Sequence, residues 1–386
     1  MTDHRSTESQ LETSTTHQHD PIIFRLGKLH LRLSSLKYFT FTIIGIALLW
    51  PWNAFLSASA YYAERFGHSP SLIKIYSSTM MSVSTITSML YNFYLSQVQT
   101  GVNYNFRVNT GLWITISVFL IMGISCISDL FIRMHDIAFF VLLMFMVLLS
   151  AMATCLSQNG TMAIVNVMGS IYANAVMVGQ AVAGVLPACA LIISILLVGD
   201  RIDAKQEYVD KNYGVFLYYI TASLISIVSI LLLYWVTYHK NEIAYQRLNS
   251  VFSGGEEVEE EDLVEPVHAQ KAYVSFWTLW SKLKLIVMTI FLTFGITLIF
   301  PVFASTVEST HTDSPNKFFH KSIFIPFIYF VWNLGDLLGR ILCGYPRLRM
   351  LIKDPKVLIL YSISRLVFIP LFLTCNIHTY TASGKS

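Results

Sequence analysis

What most constrains this chain is a succession of apolar runs, each long enough to cross a bilayer as a helix, which takes about 20 residues. They begin near Tyr38, Leu72, Phe106, Ile137, Ile171, Tyr213, Leu283, Ser322 and Val357. Backbone N–H and C=O groups find no water in hydrocarbon, so runs of this length fold as helices that bond internally. The expected fold class is an all-α polytopic membrane protein with nine spans. Composition agrees, since 54% of the 386 residues are hydrophobic and only 13% are charged. A soluble enzyme is excluded. The net charge of +3 is dispersed over short loops, so the lipid bilayer is a partner and nucleic acid is not. Cys126, Cys155, Cys189, Cys343 and Cys375 lie in or beside apolar segments without CxxC spacing. They read as small hydrophobic residues, and no metal site or cofactor is expected.

The runs sort into a domain plan. Residues 1–37 are polar and rich in Ser, Thr and His, and read as a disordered tail without a cleavable signal peptide. Residues 38–238 hold the first six spans. Residues 239–281 form a linker with the acidic run Glu256-Glu257-Val258-Glu259-Glu260-Glu261-Asp262, residues 282–379 hold spans seven to nine, and 380–386 are a short tail. The break between spans four and five is placed near Asn166–Ser170, because the run from Ile137 to Val198 is nearly uncharged and too long for one crossing. Basic residues preceding span one (Arg25, Lys28, Arg32, Lys37), after span two (Arg107) and in the loops after spans six and eight outnumber those on the opposite side. A cytosolic N-terminus is expected.

Charge inside a span is the next signal. Trp332-Asn333-Leu334-Gly335-Asp336-Leu337-Leu338-Gly339-Arg340 places an acid and a base within an apolar stretch. One charged side chain at a helix centre costs about 2.5–3.5 kcal/mol on insertion scales, so such residues face protein or a watery cavity and carry function. At about 100° per residue, Asn333, Asp336 and Arg340 fall within roughly 60° of arc. Gly335 and Gly339 lie on another face, where their small-xxx-small spacing lets a neighbouring helix approach. The alternative for the charged pair is a structural ion pair between helices, which desolvation disfavours.

Two further segments echo one another. Gly45-Ile46-Ala47-Leu48-Leu49-Trp50-Pro51 in span one resembles Gly295-Ile296-Thr297-Leu298-Ile299-Phe300-Pro301 in span seven. A parallel repeat with a site between its halves would place them so, with chance similarity among apolar helices as the competing explanation. Pro51 and Pro301 each remove a helical donor and are expected to kink their spans. Trp52 and Asn53 follow the first kink, and could serve a ligand or an interfacial belt. Gln158 in span four and Gln180 in span five are amides in apolar runs, which commonly make interhelical hydrogen bonds. Asn159-Gly160-Thr161 matches a glycosylation sequon but lies inside a span.

Taken together, Pro51-Trp52-Asn53 with Ala58 and Tyr61-Tyr62, Gly179-Gln180-Ala181-Val182-Ala183-Gly184, Asn333 through Arg340, and Arg365 through Phe372 with Asn376 resemble the signatures of the equilibrative nucleoside transporter family, in a fungal-type form. Trp50 stands where that family usually has Leu. The resemblance implies a major-facilitator-like arrangement of six plus five helices, of which nine (6+3) are present, and facilitative transport of nucleosides, with nucleobases as further cargo, by alternating access. It implies that Asp336 and Arg340 engage the ribose, that Gln158 addresses the base, and that Leu49, Trp52 and Leu56 form an apolar wall. Asn53, Asn333 and Phe300 would shape or gate the cavity, and Gly179 and Gly184 would serve helix packing. The membrane stays open between the plasma membrane and a vacuolar or other endomembrane. The family carries two more helices than are found before Ser386, so the expectation includes a truncated chain with impaired transport. A full-length relative would then be the partner supplying the missing helices, or the target of a non-transporting regulator.

Overall fold

The computed structural model describes residues 22–26, 29–98, 101–198, 212–254, 275–304, 321–344 and 354–373. The first described element is a hairpin, β1 (Ile22–Leu26) against β2 (Leu29–Arg32), antiparallel. These residues fall in the segment expected as a disordered tail; alternation of Ile, Phe, Leu and His with Arg gives them strand character that the polar composition of the flanking tail obscures.

Helices and the short turns between them make up the rest of the described residues. They are α1 (Leu33–Ser57), α2 (Ser59–Arg65), α3 (Pro70–Gln97), α4 (Tyr104–Ser125), α5 (Asp129–Ile132), α6 (Asp136–Met168), α7 (Ser170–Val198), α8 (Tyr213–Gly254), α9 (Phe276–Ala304), α10 (Lys321–Gly344), α11 (Pro355–Ser364) and α12 (Phe368–Leu373). Seven of them, α1, α4 and α6 to α10, contain stretches long and apolar enough to cross a membrane. The expected second span corresponds to α3, which has the length, 28 residues, but carries many Ser and Thr. The expected ninth span is divided into α11 and α12 by a 3₁₀ turn at Arg365–Val367. Pro370 lacks the N–H that would bond the Leu366 carbonyl, and its ring crowds that carbonyl.

Local chemistry sets the helix ends. Asn103 Oδ1 accepts from Phe106 N at 3.2 Å, Asn212 Oδ1 from Val215 N at 3.0 Å and Asp354 Oδ1 from Lys356 N at 2.9 Å, each a side-chain cap for orphan amides. Proline stands in the first turn of both α3 and α11, where its missing N–H costs nothing. Gly169, at φ 122° and ψ 158°, separates α6 from α7 inside the expected break. That backbone conformation is open to glycine and strained for other residues. Two expected loops are helical instead: α8 continues through Gly254 into the linker, and Arg107 lies in the first turn of α4.

The packed centre lies among α1, α4, α6, α7 and α8. One cluster joins Phe55, Tyr62, Phe66, Phe119, Phe139 and Tyr219; a second joins Phe41, Ile44, Leu112, Val165 and Val176. Two glycines let α1 and α7 touch backbone to backbone. A Cβ at Gly45 would run into the Val176 carbonyl and lie 3.1 Å from Gly179 Cα, and one at Gly179 would run into the Thr42 carbonyl. Buried charge is compensated in place. Arg65 on α2 donates to Asp136 Oδ1 at 2.7 Å and to the Met134 carbonyl, and lies 5.0 Å from the Phe139 ring centroid, while Ser69 Oγ donates to Asp136 Oδ2 at 2.6 Å. Arg107 donates to Asn159 Oδ1 at 2.6 Å and to the Val98 carbonyl. Asn159, half of the apparent sequon, thus holds a buried cation. By contrast α9 and α10 present most of their surface outward, with 6% and 0% of their most apolar stretches buried against 56% for α1.

Candidate functional site

A cavity of about 180 Å³ opens among α1, α3, α6 and α7. Its apolar wall is Leu48, Leu49, Trp52 and Phe55 of α1, with Val147 and Ala151 of α6. Its polar wall is Ser84 and Ser88 of α3, Ser150, Thr154 and Gln158 of α6, and Gln180 of α7. Helical geometry explains the segregation. Ser84 and Ser88 are i, i+4 neighbours, and Ser150, Thr154 and Gln158 repeat at the same interval, so each helix turns one narrow polar stripe inward. A flat apolar surface facing donors and acceptors suits a planar heteroaromatic ring with a polar edge.

Of the residues singled out in the sequence, Leu49, Trp52 and Gln158 meet in this cavity. Asn53 does something else. Its Nδ2 donates to the Ala183 carbonyl of α7 at 2.7 Å, and Pro187 lies inside α7 four residues further on. A helical residue at 187 would normally donate to that carbonyl, and proline has no N–H to give. The Asn53 amide therefore fills a bond that Pro187 leaves open, at a carbonyl whose residue is fully buried. This is how freed carbonyls are tolerated in membrane helices. The sequence does contain the signal, a proline inside an apolar run at Pro187. It does not say which side chain answers. Trp50 is similarly committed: its indole N–H donates to Thr221 Oγ1 at 3.0 Å, and its ring stacks on Tyr218 at 5.4 Å between centroids.

The charged pair lies outside the cavity lining. Arg340 Nη2 is 3.0 Å from Asp336 Oδ2, its Nε donates to Asp336 Oδ1 at 3.1 Å, and its Nη1 donates to the Met177 carbonyl of α7, also at 3.1 Å. Helices α7 and α10 run antiparallel through this contact. Asn333 Oδ1 lies 3.1 Å from the position a Cβ would take on Gly184, and Asn174 occupies the space beside Gly344. Among the described residues, no atom of another element lies within 4 Å of a Cβ position on Gly335 or Gly339. The α7–α10 approach runs past Gly184 and Gly344, with the charged face of α10 turned to α7. Leu56 is exposed, away from the cavity lining. The side chains of Phe300 and Pro301 lie outside the described residues, and α1 runs unbroken through Pro51 to Ser57.

Among the described residues no group of three or more His, Cys, Asp or Glu could hold a metal ion. Cys126 and Cys155 are buried as expected of small hydrophobic residues, whereas Cys343 is exposed on α10 and Cys189 is intermediate. Cys375 lies outside the described residues.

The fold and cavity define a helical, multi-pass membrane protein with a small amphipathic internal site. Comparison with known proteins carries this further. The family described as nucleoside transporter matches residues 143–384. The chain is 36% identical to the nucleoside transporter FUN26 of Saccharomyces cerevisiae over 92% of its own length and 71% of that protein's. It is 24% identical to equilibrative nucleoside transporter 1 of Homo sapiens, over 87% of this chain and 80% of the human protein. It is 22% identical to equilibrative nucleotide transporter 1 of Arabidopsis thaliana, over 88% and 70%. The chain belongs to the equilibrative nucleoside transporter family, whose members are transporters and not enzymes.

Proposed function

We propose that the chain carries nucleosides, with nucleobases as further cargo, down their gradients through a central site alternately open to each side. The observation that carries this reading is the cavity itself, in which Trp52, Phe55 and Leu49 face Gln158, Gln180 and Ser84 across a space of about 180 Å³. The base slides between the walls. The sugar extends from the cavity toward α10, where Asp336 accepts from ribose hydroxyls and Arg340 donates once it exchanges the Met177 carbonyl for substrate.

In this reading the helices up to α8 form one bundle of a six-plus-five, major-facilitator-like arrangement, and α9 to α12 belong to the other. The α7–α10 contact is then the seam across which the two move. The N-terminus is cytosolic, and the protein resides in the plasma membrane or a vacuolar or other endomembrane. Asp336 is paired with the Arg340 guanidinium at 3.0 Å, and transport in this reading is uncoupled from protons. The test is uptake of labelled adenosine and uridine into vesicles containing the purified chain. Saturable flux independent of an imposed pH gradient is expected, reduced at least tenfold in an Asp336→Ala, Arg340→Ala double variant. Absence of saturable flux, or full flux from that variant, would refute the reading.

A further inference from the structure

Several hydroxyls in the helices of this protein are turned back onto their own backbone. Thr40, Thr115, Ser226, Thr289 and Thr297 each donate to the carbonyl four residues earlier, at 2.8 to 3.0 Å. Ser84 of α3 lines the cavity and makes no such bond, and the Gln180 amide of α7 has no hydrogen-bond partner among the described residues. Neither is sealed from the cavity space, since neither is among the buried polar atoms left without a partner. Gln158 of α6 is an exposed residue that lines the same cavity. Ser84, Gln158 and Gln180 thus bring an uncommitted polar head from each of three helices to one small space, opposite Trp52 and Phe55.

We propose that Ser84 and Gln180 are specificity-determining residues that join Gln158 in reading the hydrogen-bonding edge of the nucleobase, independently of the Asp336–Arg340 pair at the sugar. The proposal rests on the nucleoside reading of the cavity. Two physical arguments support it. At about 180 Å³ the space is smaller than the roughly 300 Å³ at which pockets for whole drug-sized ligands begin, so it encloses one planar ring system and leaves the sugar outside. Each of the three groups both donates and accepts, so the wall satisfies an amino edge or a carbonyl edge by reorientation. It discriminates against a ring that lacks such an edge, because binding that ring would take two amides and a hydroxyl out of water without pairing them.

The test is equilibrium binding of adenine and of adenosine to the purified chain in detergent, measured by calorimetry. A Ser84→Ala, Gln180→Met double variant removes two neutral hydrogen bonds at nearly constant volume and should weaken both ligands about tenfold or more, with Ser84→Ala alone weakening both a few-fold. Arg340→Ala should weaken adenosine and leave adenine unchanged. Ser82→Ala, exposed on the same helix and outside the lining, should change neither. Unchanged adenine affinity in both Ser84 variants, an effect confined to adenosine, or no binding of either ligand by the unaltered chain would overturn the proposal. Vesicle uptake measured in parallel separates the two readings. Binding that behaves as described without uptake refutes transport and leaves the polar wall standing, whereas normal uptake with unaltered affinities refutes the wall alone.

Discussion

Replacing Asn53 by Ala isolates a single interhelical bond whose partner was created by a proline. Ala183 is 0% exposed, and its carbonyl accepts from Asn53 Nδ2 at 2.7 Å because Pro187 cannot donate to it. Stranding a buried carbonyl costs about 1–3 kcal/mol. The same substitution should cost far less in a Pro187→Ala background, where the restored backbone N–H at that position would close the ordinary helical bond to the same oxygen. The double-mutant cycle should therefore give a coupling of about 1–2 kcal/mol between residues on different helices. The assay is denaturant or thermal unfolding of the purified chain in detergent, for the four members of the cycle. Equal destabilisation by Asn53→Ala in both backgrounds would refute the reasoning. Transport kinetics provide a second readout. With its amide committed to α7, Asn53 is a positioning residue, so its loss should lower the amount of active protein while KM stays within about twofold. A large rise in KM would put the amide in contact with substrate.

Two further outcomes follow from the packing. Arg65→Ala leaves Asp136, whose carboxylate is held by Arg65 and Ser69, with Ser69 alone, and should destabilise the chain by roughly 1.5–3 kcal/mol in unfolding assays. Arg65→Lys should recover less than half of that, because the planar fork that reaches both Asp136 and the Met134 carbonyl is lost. Gly179→Val should abolish monodisperse folding on gel filtration, since a Cβ there meets the Thr42 carbonyl and Gly45 Cα, whereas Gly339→Ala, with nothing within 4 Å, should leave the elution profile unchanged.

Hydropathy and local chemistry carry much of this protein in its linear sequence. Helix starts at Pro70, Asp136 and Pro355, and the break at Gly169, follow from residues within one or two positions of the event, which is why they can be read without a partner. The membrane class and the family signatures are equally local. Nine apolar runs, a charged Asp336–Arg340 pair at i, i+4 and the Pro51-Trp52-Asn53 segment need no knowledge of what lies beside them. Trp52, Leu49 and Gln158, read as site residues, share the cavity.

What only the tertiary structure decided is where each polar group finds its partner. Asn53 and Trp52 are adjacent in sequence, yet one bonds a proline-freed carbonyl 130 residues away and the other lines the cavity. Arg107 reads as a loop charge and is buried on Asn159. Gly335 and Gly339 have the spacing for close packing and, among the described residues, no neighbour within 4 Å of a Cβ position, while Gly45, absent from the expected packing set, lies against Gly179. Ser84 looks like any helical serine until α6 and α7 place Gln158 and Gln180 around the same space. The physical reason is common to all four. Periodicity states which residues share a face of one helix, but the rotation and axial offset of that helix against its neighbours depend on contacts summed over the whole bundle, and those alone determine what the face meets.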